Sequence, residues 1–387
     1  MKKLFNYSFI LLIVFAGCKK GGDPDEGTMP IIPLDERPIL FGRTWSPNHT
    51  IASWFANTRD TSLVSYKHKN LVVAGMIQQG NVTSPGGGAK NITYYGLEST
   101  ETTHTRICLF LEKSTPIATL AGNELRADYS EGVQGKTTFN GDTYLIALGA
   151  YKGTRADSYY YKIPAMGGKP TYHKLPKTEY GNGYAWYCGT SKGLVVGKSE
   201  LVNNKICFLS IYRDESWIDD FRLEVPGYQN LEPESLLMPN DHDMIAVVSA
   251  NKIGAGINEV FYVTINIDTK AVKVYRPDIP AGGYHFGHSA YADGKVYVPA
   301  YENAINKCSY FVFTLHKAAE EVKFKKIDLE VKDVPYGSAY RLKTRGTNVY
   351  VTGDQKGLAC YWKNGKLIDI KNDDASQSII DDIITFD

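Results

Sequence analysis

Charge of one sign is missing from this sequence: 43 Lys+Arg stand against 42 Asp+Glu in 387 residues, a formal net charge of +1. That balance excludes the basic footprint of a nucleic-acid binder and the acidic excess of a solvating disordered chain. Cysteine is scarce, with 6 residues and no C-x-x-C pair, which argues against a zinc site. There is no G-x-S-x-G elbow, no H-E-x-x-H and no local Cys/His pairing, so no catalytic residue is named, no cofactor is called for and a non-enzymatic role is expected. A sustained 3.6-residue apolar stripe is also missing from the mature chain, which excludes a helical architecture. What is present is 27 Tyr and 36 Gly among Val, Ile and Thr, a composition for strands and turns in a chain long enough to bury a large core without disulfides.

The first 17 residues have the make-up of an export signal. Lys2 and Lys3 form the positive segment, and the apolar run Phe9–Phe15 is too short to span a bilayer. The run ends in Phe15-Ala16-Gly17-Cys18, which resembles a bacterial lipobox and implies lipidation of Cys18, although Phe15 stands where Leu is usual. An ordinary secretory signal beside a chance cysteine is the alternative. Residues 18–37 are rich in Gly, Pro and acids and are expected to be a flexible tether, with the folded domain in residues 38–387. Loss of residues 1–17 removes two lysines, so the mature net charge is +1 − 2 = −1.

A repeat sets the expected fold. Tyr144, Val195, Ile245, Val296 and Val349 each begin or centre an apolar strand after a polar turn, with gaps of 51, 50, 51 and 53 residues. Each is followed by a second, aromatic-rich strand, such as Ser158–Ile163 or Ser309–Phe313. Four strands per ~50 residues is one blade of a β-propeller, and the remaining chain has room for roughly seven, with six or eight as alternatives. The fold class is therefore all-β: a propeller of four-stranded antiparallel blades. An earlier copy is placed at Asn70–Gly75, with an insertion that includes Gln78–Lys90 as a rim loop. That loop lacks the ending of a phosphate cradle. The last segment, residues 378–387, is expected to pair with the opening strands and close the ring.

Five cysteines remain after Cys18. Cys108, Cys207, Cys308 and Cys360 recur at equivalent places in different repeats and are expected to be free and buried, with inter-blade disulfides as the alternative. The candidate ligand-binding residues lie where chain enters each repeat: Arg126, Tyr129, Trp186, Glu234, His285, His288, Tyr336 and Arg341. Aromatic rings would stack on a planar or polyhydroxylated ligand, while arginine and carboxylate read its oxygens. Packing between blades is the alternative for each aromatic. His285 and His288 are three residues apart and on a regular strand would face opposite sides, so one metal could take both only from a loop; no metal is assigned. Glu232 and Glu234 would share a face.

The Cys18 lipobox, the Gly/acid tether and the ~50-residue repeats together resemble the β-propeller surface lipoproteins of Bacteroidota. The resemblance is architectural, covers most of the mature chain and matches no ligand motif residue by residue. It implies a lipid-anchored outer-membrane protein at the cell surface, or on the periplasmic face. It further implies non-enzymatic binding of a small molecule or glycan, including siderophores, with delivery to a TonB-dependent transporter. A propeller polysaccharide lyase or glycosidase, and a protein-interaction scaffold, are the alternatives.

Overall fold

The computed structural model describes residues 39–45, 51–57, 60–66, 71–78, 92–99, 105–110, 116–120, 130–150, 157–165, 169–176, 186–255, 258–280, 283–302, 305, 307–332, 337–370 and 377–384, with side chains mainly from residue 132 onward. The signal and tether segments, Cys18, Arg126, Tyr129, Tyr336 and most of the Gln78–Lys90 loop lie outside these residues, as does the Cys108 side chain.

The described strands pair into antiparallel sheets of four, and all but one of these follow chain order from one edge to the other. Five such blades, within residues 130–369, are described to their side chains; one carries a short extra strand segment. Two more four-stranded ladders are described through their main chain. One runs within residues 71–119, and the other joins Gln377–Ile384 to the three strands of residues 39–66. The architecture is an all-β propeller, with a single 3-10 turn, Lys317–Ala319, among the described residues.

The repeat marks all fall on the second strand of a blade: Asp142–Ala150, Gly193–Val202, Asp243–Lys252, Lys295–Glu302 and Asn348–Gln355. These strands are covered on both faces by neighbouring blades, so they read as continuous apolar runs: in Asp243–Lys252 every residue from Met244 to Ala250 is buried. The core lies between blades. One cluster joins Leu209, Ile211 and Phe221 to Met244, Phe261 and Ile265 of the next blade, and another seats Trp362 against Cys308, Tyr310 and Leu329. Tight hairpins connect first to second strands: Asn140-Gly141 and Asp293-Gly294 both have positive φ at each residue, the geometry that matches strand twist.

One expectation is corrected. Leu71–Gln78, taken as a copy of the marked strand, is the first strand of its blade, and Ile92–Ser99 is the second. Tyr95 and Ile146 hold equivalent register positions, facing Gly75 and Gly135 just past a bulge, and they are 51 residues apart. The period is therefore unbroken, and the long loop sits between first and second strands.

The chain's last described strand joins its first. Ile39–Trp45 pairs antiparallel with Gln377–Ile384, as the closure reading requires. The closing strand is also tied sideways: Ala359 N–H donates to Ser378 Oγ at 2.7 Å, and Ser378 N–H donates to Gly357 O at 2.7 Å.

A bulge recurs in the first strand of most blades. The ladder skips Ala74, Gln134, Glu234, Tyr340 and Asp381. In the blade of residues 284–328 the first strand is broken instead into Tyr284–Phe286 and Ala290–Ala292, which pair the same partner strand on either side of Gly287-His288-Ser289. An extra residue bends its strand and re-aims its side chain.

Candidate functional site

The first strands of the blades line one channel, which identifies them as innermost. A cavity of about 720 Å³ is lined by Glu234, His285, Phe286, His288, Tyr301, Ser338, Tyr340, Arg341, Ile379 and Ile380, among others. A second, of about 290 Å³, is lined in part by Lys136, Trp186, Cys188, Leu236, Lys343 and Ile383. Glu234, His288 and Arg341 belong to both. The larger cavity takes residues from the beginnings of innermost strands and the smaller takes mostly residues from further along, so the two follow each other along the channel with these three residues at their junction.

Of the expected site residues, the structure brings five to this channel. His285 faces the larger cavity, Trp186 the smaller, and Glu234, His288 and Arg341 both. Trp186 also packs against the apolar cluster around Phe221 and Leu236, so it serves core and wall together. Arg126, Tyr129 and Tyr336 lie outside the described residues.

Glu234 is placed by its bulge. The register shifts between Pro233 and Ser235, and again between Gln229 and Glu232, so Glu234 is the extra residue of its bulge. Glu232 is exposed and lines neither cavity, whereas Glu234 is half-buried at the channel wall. Burial lifts the Glu234 carboxyl to about 7; the Ser249 hydroxyl, which donates to Oε1 at 2.7 Å, opposes this, and the nearby Glu232 charge adds to it.

His288 is placed by backbone bonds to the neighbouring blade. Its N–H donates to Tyr340 O at 2.8 Å and its carbonyl accepts from Leu342 N–H at 3.0 Å, a parallel bridge opposite Arg341. Gly287 permits the approach, because a Cβ there would lie 2.2 Å from Tyr340 O. The imidazole is open to solvent but sits deep in a concave wall. Removal from bulk water, and then the Arg341 charge, lower its pKa below the usual histidine value. Because His285–His288 is an interrupted strand, both histidines line the larger cavity despite their three-residue spacing. No group of three or more metal-ligating side chains occurs among the described residues.

Sequence reasoning missed Lys136, Phe286, Tyr301, Lys343 and the Ile379/Ile380 pair. The closing strand was read as structural alone, yet it supplies wall. The repeat period carried the signal for all of them, since each lies at or beside an innermost strand whose place follows from the marked strand of its blade. Four cysteines, Cys188, Cys207, Cys308 and Cys360, are free, and the last three are buried. Burial pushes the Cys207 and Cys308 thiols up to about 12.

No protein-family model matches the chain, and no curated protein matches its sequence. Solved structures match it in fold. The β-propeller domain of the Trilobed protease from Pyrococcus furiosus, described as having an open velcro topology, is 9% identical, with a TM-score of 0.50 over 87% of this chain and 95% of that one. Apo AztD from Citrobacter koseri is 9% identical, with a TM-score of 0.40 over 88% of this chain and 97% of that one. Polysaccharide lyase Uly1 is 10% identical, with a TM-score of 0.45 over 83% and 85%. These likenesses concern the propeller fold alone.

Proposed function

We propose that this protein is a non-enzymatic binding protein whose channel holds a small molecule or glycan. One observation carries the reading: two cavities, about 720 and 290 Å³, meet at Glu234, His288 and Arg341. The larger is of the size of a small-molecule site, with aromatic rings beside a few convergent polar groups. Arg341 and Glu234 read oxygens of the ligand, while Tyr301, Phe286 and Tyr340 offer rings to its body.

The scaffold we infer is a closed ring of seven blades, sealed by Gln377–Ile384. Its exported, lipid-anchored placement rests on the lipobox at Cys18, and delivery to a TonB-dependent transporter rests on resemblance to surface lipoproteins of Bacteroidota.

A thermal-shift screen of the purified protein against ferric siderophores, haem and oligosaccharides tests the binding role. The expected result is a rise in melting temperature with one ligand class that is lost in Trp186→Ala, His285→Ala or Arg341→Ala. A rise that persists in all three variants would move binding away from the channel.

A second reading is favoured by one feature. Glu234, held near 7, shares the larger cavity with two histidines, a disposition suited to general acid–base chemistry on a glycan. Release of reducing ends or unsaturated products from uronate polymers, abolished in Glu234→Gln, would establish a lyase or glycosidase.

A further inference from the structure

Among the described residues that line the channel the lysine and arginine side chains are Lys136, Arg341 and Lys343, and Glu234 is the single carboxyl. Lys343 is partly engaged, donating to Ile383 O at 2.5 Å. Arg341 is exposed within the channel and makes no ion pair with any described residue. The acid nearest along the adjoining strand, Asp354, is occupied elsewhere, accepting from the Tyr340 hydroxyl and from Gly357 N–H. Glu302, on the strand that supplies Tyr301, is paired with Lys326 at 2.5 Å. The carboxyl that does face the channel is half-buried and accepts from Ser249.

We propose that the channel selects a small molecule bearing an oxyanion, carboxylate or phosphate, and that Arg341 is the residue that fixes the anionic group. This rests on the binding role proposed above and names its ligand class. The guanidinium is a planar fork that matches either oxyanion through two parallel hydrogen bonds. Its position at the junction, opposite His288 across the backbone bridge, puts it in reach from both cavities. A bare ion would leave most of 720 Å³ to water, so the ligand has a body. Phe286, Tyr301 and Tyr340 on the same wall supply its apolar contacts.

The test is isothermal titration calorimetry of the full chain with citrate, inorganic phosphate, trigalacturonate and the neutral maltotriose. At least one anion is expected to bind, at least tenfold more tightly than maltotriose. Its affinity is expected to fall tenfold or more in Arg341→Gln, to recover in part in Arg341→Lys, and to weaken as NaCl rises from 50 to 500 mM. Citrate or trigalacturonate binding without phosphate would assign a carboxylate, and the reverse a phosphate. Circular dichroism melts show whether each variant is folded; if Arg341→Gln is not, Arg341→Lys and the salt dependence provide the same comparison. Maltotriose binding as tightly as the anions, with no loss in Arg341→Gln, would overturn the anionic class and leave a neutral-ligand binding role standing. No heat with any of the three anions at millimolar concentration would also overturn it, and the wider thermal-shift screen would then decide the binding role separately.

Discussion

The main chain of His288 is hydrogen-bonded on both sides of Arg341, to Tyr340 O and Leu342 N–H, so the two residues that meet at the channel junction are held by backbone from different blades. Their relative position is set by main-chain bonds between packed strands, which makes it rigid.

Gly287→Ala tests that linkage. The added Cβ would meet Tyr340 O at 2.2 Å, and a backbone oxygen in a paired strand cannot swing aside. The expected cost is about 1–3 kcal/mol of stability, with loss of ligand response at the channel. A melt and a titration on the same sample check both parts.

Glu234 makes stability fall as pH rises. Its folded value near 7 lies above the ordinary 4.5, so between about pH 4.5 and 7 the unfolded chain gives up this proton first and the folded state is penalised. The effect is complete above pH 7 and is at most about 2–3 kcal/mol, reduced because the side chain is only partly buried. Glu234→Gln is expected to flatten this slope and to raise the melting temperature at pH 8. Urea unfolding at pH 5 and pH 8 measures it.

Removal of the closing strand opens the ring. Truncation after Asn372 deletes the ladder to Ile39–Trp45 and the Ser378 bonds to Gly357 and Ala359. It also removes the buried Ile380 and Ile383, which uncovers Tyr361 in the cluster they share. A fall in melting temperature and aggregation through the freed edge are expected, read by calorimetry and light scattering.

Trp362 anchors the cluster between two blades. It is fully buried and its Nε1–H donates to Glu330 O at 2.7 Å. Trp362→Ala is expected to cost about 3–5 kcal/mol, because a large cavity and an unpaired carbonyl are both left behind. Chemical denaturation gives the value directly.

The cysteines Cys207 and Cys308 are expected to be silent toward thiol reagents in the native protein, since burial both blocks access and holds their pKa near 12. Reaction with Ellman's reagent should follow global unfolding in guanidinium.

Much of the fold was legible in residues such as Tyr144, Val195 and Ile245. A strand covered on both sides must be apolar throughout, and the chain must return to that condition once per blade, so the period was visible in the order of the residues alone. Trp186, Glu234, His285, His288 and Arg341 were found by following that period back to the strand before each mark. The misplacement of Leu71–Gln78 shows the limit. An innermost strand and a second strand are both short apolar runs, and only pairing tells one from the other.

The sequence by itself determined the blades, their spacing and which segments reach the channel, because those follow from local turn chemistry and from the periodic demand for burial. Only the tertiary structure decided how side chains meet there. The bulge at Glu234 and the break at His288 each insert one residue into a ladder, and a one-residue slip reverses which face a side chain takes. Such a slip exists only in the pairing of two strands, so no reading of one strand alone could place Glu234 and His288 on the channel wall they share with Arg341.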